Sequence, residues 1–101
     1  MGYGPIPSQG GAHTVGSTAQ TIEAATGISV PAGANRAEGY VRTASVVKGG
    51  GGFTPTATLG TQANVGDMII LRSKEEIDLA TFIRQTSTNA AIDWDFFTGK
   101  P

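Results

Sequence analysis

Cysteine is absent from this 101-residue chain, charged residues make up only 15% of it, and histidine occurs once. Without cysteine the protein has no disulfide framework, no thiol nucleophile and no cysteine zinc site. Seven basic and eight acidic residues give a net charge of -1, so the chain lacks the basic excess that neutralises nucleic-acid phosphates. We therefore expect no nucleic-acid partner.

Long hydrophobic runs are also missing. No stretch of 18 apolar residues occurs, so we expect neither a membrane span nor a secretory signal. Leu, Ile, Val and Phe together supply 21 residues, which is few, but the small net charge argues against disorder. The composition predicts one folded domain with a thin core, and we expect oligomerisation or docking on a partner to supplement it.

Residues 1–17, MGYGPIPSQGGAHTVGS, contain five glycines and two prolines and show no apolar periodicity. Glycine raises the entropy cost of ordering and proline removes a backbone donor, so this segment predicts an extended N-terminal arm rather than a helix or a central strand. The arm is either a flexible terminus or a tail that orders on a neighbouring subunit. In the second case Tyr3, Ile6 and Val15 are the expected contact residues.

Residues 18–101 consist of short β-type runs separated by turn signals. The clearest alternation covers residues 91–96, where Ile92, Trp94 and Phe96 are predicted to face the core. Ser73 and Glu76 have the spacing of a capping box, which predicts a single helical turn. The whole pattern predicts an all-β protein: an antiparallel β-sandwich of about six or seven short strands with one short helical turn and an extended N-terminal arm.

Candidate catalytic residues are few. Asp93 and Asp95 share one face of a predicted strand at roughly 7 Å, a separation at which paired carboxylates hydrolyse glycosides or hold a cation. The sequence pattern places no third acid or histidine beside them, so the favoured interpretation is that both acids lie on a solvent-facing side of a strand. His13 lies in the arm, where nothing local would hold it beside a nucleophile. We predict a non-enzymatic protein with no catalytic, cofactor-binding or metal-binding residues.

Two further features favour a role in binding other proteins over a role in catalysis. The tetraglycine at residues 49–52 is followed by FTP rather than by Lys-Ser/Thr or a helix start, so it is predicted to be a loop and not a phosphate cradle. Phe53 is the first residue of the structured chain after this loop, and it is a fourth expected contact residue. Trp94 is either a core residue or a sugar-stacking platform, and its neighbours Ile92 and Phe96 favour the core.

Several segments resemble small β-sandwich proteins encoded among the virion structural genes of tailed bacteriophages. The similarity covers about residues 20–97. It is carried by TGISVPAGANRAEGYV, by FTPTATLG with NVGDMIIL, and by ATFIRQTSTNAAIDWDFF.

The resemblance implies a capsid decoration or cement protein that bridges and stabilises major capsid subunits. It further implies a homo-oligomer, with a trimer favoured, located on the capsid surface of the virion and assembled in the host cytoplasm. The alternative is a neck, tail or host-facing β-sandwich module that binds glycan through an exposed Trp94.

Overall fold

The computed structural model describes residues 6–50 and 52–98, with the side chains of residues 6–10 left outside that description. The elements of the described chain are, in order, β1 (Ile6–Val15), β2 (Gln20–Thr21), α1 (Ile22–Thr26), β3 (Ala34–Arg42), β4 (Val46–Gly49), β5 (Thr61–Ala63), β6 (Met68–Leu71), α2 (Lys74–Leu79), β7 (Thr81–Arg84) and β8 (Ala90–Thr98).

Two four-stranded antiparallel sheets pack face to face. The first sheet has the order β1-β8-β3-β6 and the second has the order β2-β7-β4-β5. The predicted antiparallel β-sandwich is confirmed. The described chain contains eight strands and two short helices, somewhat more than the predicted six or seven strands and one helical turn.

Residues 6–15 of the predicted arm are strand β1 of the same sandwich. This strand pairs with β8 from Ile6 opposite Thr98 to Val15 opposite Ala90, with a register shift after Pro7. An edge strand bonds to a neighbour on one side only, so it tolerates the proline and glycines that a central strand would not. Residue 17 therefore lies between β1 and β2, and only residues 1–5 of the predicted arm fall outside the described residues.

Helix α2 begins where the capping box predicts. The backbone N–H of Glu76 donates to Oγ of Ser73 at 3.0 Å, and Oε1 of Glu76 accepts from the N–H of Arg72 at 3.0 Å. The first bond satisfies a donor that a helix start leaves unpaired, and the second holds the backbone N–H one residue before the cap. Ile77 is the buried residue of this helix.

Helix α1 lies in the part of the chain where only short β-type runs were predicted. The side chain of Thr21 caps it by accepting from the N–H of Ala24 at 3.2 Å. Gly27 ends it with φ 72°, a left-handed conformation that glycine adopts without steric cost. The Thr and Gly at the two ends were the local signals for this helix.

Strand β8 is the centre of the core. Its inward residues Ile92, Trp94 and Phe96 are 2% exposed or less, as the alternation predicts. Gly39 of β3 lies directly opposite Trp94, and a Cβ at Gly39 would lie 2.6 Å from the indole. The indole thus occupies the space that a side chain on β3 would need, which fixes the close packing of β3 and β8.

Candidate interaction surface

The four predicted contact residues have different positions. Tyr3 lies outside the described residues, and Ile6 begins β1 with its side chain also outside them. Val15 is 1% exposed in the core cluster, so this chain already covers the side chain that was expected to contact a neighbour. Phe53 is 46% exposed and is available for a contact.

Phe53 belongs to the β4–β5 loop, which is ordered on the far side of the tetraglycine. Pro55 is buried and packs on Gly49, where a Cβ would lie 2.6 Å from its Cδ. Thr56 and Leu59 form a miniature antiparallel bridge, with N–H to O distances of 3.0 and 3.2 Å in the two directions. Residues 52–60 of the loop therefore have a defined shape.

Leu59 is a contact candidate that the sequence analysis missed. It is 53% exposed on the same loop as Phe53. Gly60, which follows it at φ 133°, lies so close to β4 that a Cβ would come within 2.6 Å of the carbonyl oxygen of Lys48. An apolar residue inside the turn-rich segment PTATLG was the available signal, because such segments are normally polar.

The outer face of the first sheet carries the acidic pair considered for catalysis. Nε of Arg42 lies 2.5 Å from Oδ2 of Asp93, and the Arg42 guanidinium also lies 5.7 Å from the ring centre of Tyr40. Asp93 is thus a half-exposed ion-pair partner. No group of three or more metal-ligating side chains occurs within residues 6–50 and 52–98, so nothing there supplies the third acid or histidine that a metal site with these acids would need.

His13 is a core residue, contrary to its expected place in an extended N-terminal arm. It is 1% exposed, its ring meets Phe82 edge-on at 5.5 Å, and its Nδ1 accepts a hydrogen bond from Nε1 of Trp94 at 3.4 Å. Burial in this apolar setting lowers the pKa of His13 to about 4. The imidazole is therefore neutral near pH 7 and is enclosed away from any substrate.

Trp94 also has a core position rather than a surface one. The indole is 2% exposed and contacts Phe82 of the second sheet at a ring separation of 5.4 Å. A sugar-stacking platform needs an exposed aromatic face. The residue on which the glycan-binding alternative depended does not offer one.

No helix in the described part of the chain is long and apolar enough to cross a bilayer. Comparison with protein-family models, with curated proteins and with solved structures finds no match for this chain.

Proposed function

We propose that this chain is a non-enzymatic bacteriophage virion structural protein, a decoration or cement protein that bridges and stabilises major capsid subunits. The sequence resemblance suggests this class. The observation that carries the proposal is the exposure of two apolar side chains in residues 52–60 of the β4–β5 loop, where Phe53 and Leu59 are each about half exposed.

Exposed apolar side chains on a shaped loop favour a protein partner. Transferring apolar surface out of water contributes roughly 25 cal/mol per Å², so covering Phe53 and Leu59 stabilises a complex. Because the Thr56–Leu59 bridge and the packing of Pro55 already order the loop, binding costs less conformational entropy than docking a disordered loop. Each contact is small, and a lattice of many copies makes such contacts avid.

In this proposal the sandwich acts as a rigid platform. The buried core of β8 holds the two sheets together, and the loop that joins β4 to β5 of the second sheet is the part that we propose contacts the capsid. Subunit seams in a filled capsid are under load from the packaged genome. A protein that binds two neighbouring subunits raises the free energy needed to separate them.

The test is occupancy on particles. Particles that lack this chain are incubated with the purified protein, and bound copies are counted by quantitative gel analysis and located by cryo-electron microscopy. We expect Phe53→Ser and Leu59→Ser each to weaken the affinity for particles, read from occupancy over a range of protein concentrations, at least tenfold, a loss of about 1.4 kcal/mol. Leu79→Ser is the matched control, because Leu79 is 49% exposed at the end of α2.

Full occupancy by both loop variants would contradict the loop contact. Density for this protein on the neck or tail, rather than on the capsid, would contradict the capsid assignment and support the alternative of a neck or tail protein. Removal of residues 1–5 tests Tyr3 without touching β1. A larger deletion that reaches residue 15 is unsuitable, because it removes a strand of the sandwich.

A further inference from the structure

Each sheet of the sandwich ends in two edge strands, and three of the four edges have features that discourage pairing with another chain. Strand β1 contains Pro7 and a register shift. Strand β2 has only two residues, and β5 has three, of which Thr61 and Gln62 are polar and exposed. Natural proteins use short strands, prolines, irregular register and polar side chains to keep edges from pairing.

Strand β6 has none of these side-chain protections. Its four residues are Met68, Ile69, Ile70 and Leu71, with no proline, glycine or charge among them. It lies at the end of the first sheet, and among the described strands it pairs with β3 alone. An apolar strand with one open side is a template for a further strand.

The open side of β6 has a defined pattern of backbone groups. The N–H of Val41 donates to the carbonyl oxygen of Asp67 at 3.0 Å, just before β6 begins. Hydrogen-bonded and non-hydrogen-bonded residue pairs alternate along an antiparallel ladder. Two residues after Asp67, Ile69 therefore again directs its backbone groups toward β3, where it lies opposite Gly39. Met68 and Ile70 therefore direct their N–H and C=O groups away from the sheet.

Apolar side chains accompany this edge. Met68 is 51% exposed and lies opposite Tyr40, which is 41% exposed, and Val65 in the preceding turn is 55% exposed. A groove of about 360 Å³ runs between β6 and β5, the adjacent edge of the second sheet. The side of the molecule that offers free backbone groups thus also offers uncovered apolar surface.

The residues around β6 favour a second copy of this chain as the occupant. Asp67 precedes the strand and Arg72 follows it, so an antiparallel pair of β6 strands brings the acidic end of each copy to the basic end of the other. With Ile69 opposite Ile69 of the second copy, Met68 lies opposite Ile70 at two symmetric positions. The outward backbone groups of Met68 and Ile70 then meet as hydrogen-bonded pairs.

We propose that β6 pairs antiparallel with β6 of a second copy about a two-fold axis centred on Ile69. The first sheets of the two copies then join as one sheet of eight strands. The proposal does not depend on capsid binding, because it concerns the isolated chain. The contact is small, because the strand has four residues.

Sedimentation equilibrium of the purified chain tests the pairing. We expect the apparent mass to rise with concentration from one chain toward two. Met68→Lys places a charge on the edge and is expected to weaken association at least tenfold, whereas Leu79→Lys, a like change at an exposed leucine on α2, leaves it unchanged. Circular dichroism verifies that both variants are folded. A chain that stays monomeric at its highest soluble concentration, or an oligomer indifferent to Met68→Lys, overturns the proposal.

Cross-linking tests the register. The chain has no cysteine of its own, so Ile69→Cys introduces a single thiol. Facing residues in a non-hydrogen-bonded antiparallel pair have Cα atoms about 4.5 Å apart, within the range that a disulfide spans. We expect oxidation to link Ile69→Cys into dimers in high yield and Ile70→Cys, which does not face its own counterpart, in low yield. Equal yields, or a higher yield for Ile70→Cys, overturn the register centred on Ile69.

Discussion

The indole N–H of Trp94 donates to Nδ1 of His13 over 3.4 Å, and this contact joins β8 to β1 inside the sandwich. The two residues are diagonal neighbours, because His13 lies opposite Ile92. Since Nδ1 accepts this bond, the neutral ring carries its proton on Nε2, which has no hydrogen-bond partner among the described residues. Protonation of Nδ1 would place two donors against each other.

The first prediction concerns the pH dependence of stability. Burial lowers the pKa of His13 from 6.5 to about 4. Between these values the unfolded chain binds a proton that the folded chain does not, so the free energy of unfolding falls as pH decreases from 6.5 to 4. The shifted pKa of His13 should lower the free energy of unfolding by about 3 kcal/mol at pH 4. Above pH 6.5 the ring is neutral in both the folded and the unfolded chain, and this loss is absent.

Urea denaturation at a series of pH values measures this slope. The control is His13→Leu, in which the unpaired indole N–H of Trp94 lowers the free energy of unfolding by an amount that does not change with pH. We expect the variant to lack the part of the slope that belongs to His13, so the difference between the two curves isolates it. If the free energies of unfolding of the parent and the variant change in parallel between pH 4 and 6.5, the pKa of His13 is the same in the folded and unfolded chain and the prediction is wrong.

The second prediction concerns Gly39. A Cβ there would lie 2.6 Å from Cζ3 of Trp94 and 2.8 Å from Cγ2 of Ile92, closer than carbon atoms pack. We expect Gly39→Ala to lower the free energy of unfolding by about 1–3 kcal/mol. Gly50→Ala, where no atom lies within 4 Å of the added Cβ, should stay within about 0.5 kcal/mol of the parent in the same denaturation experiment.

The third prediction uses Trp94, the only tryptophan of the chain. An indole that is 2% exposed beside Phe82 should emit at shorter wavelength than tryptophan in water and shift to longer wavelength on unfolding. Added mono- and oligosaccharides should leave the emission unchanged. Quenching that saturates with one sugar, in the folded protein, would revive the glycan-binding alternative.

The fourth prediction concerns the start of α2. Oγ of Ser73 accepts from the N–H of Glu76 at 3.0 Å, and loss of such a cap typically costs about 1 kcal/mol. We expect Ser73→Ala to show this loss in thermal or urea unfolding. Ser87→Ala, in the exposed segment between β7 and β8, is the matched control and should be near neutral. Equal stability of the two variants would mean that the cap contributes nothing.

Local patterns predicted the parts of the fold that depend on neighbours in sequence. The alternation around Trp94 identified β8 and its inward face, and the Ser73–Glu76 spacing identified α2. Phe53 was predicted as a contact residue beside the glycine run, and its side chain is 46% exposed. Each of these features depends on the spacing of residues within one short segment.

Residues 6–15 depended on contacts distant in sequence. Their glycines and Pro7 disfavour regular structure locally, and only the pairing of β1 along β8, about 80 positions away, makes a strand of them. His13 changed from an isolated arm residue to a buried partner of Trp94 for the same reason. Composition and periodicity determined that this chain is a small β-sandwich. Which strands lie at its edges, and which apolar side chains stay uncovered, was decided by tertiary pairing, because edge position is a property of the assembled sheet.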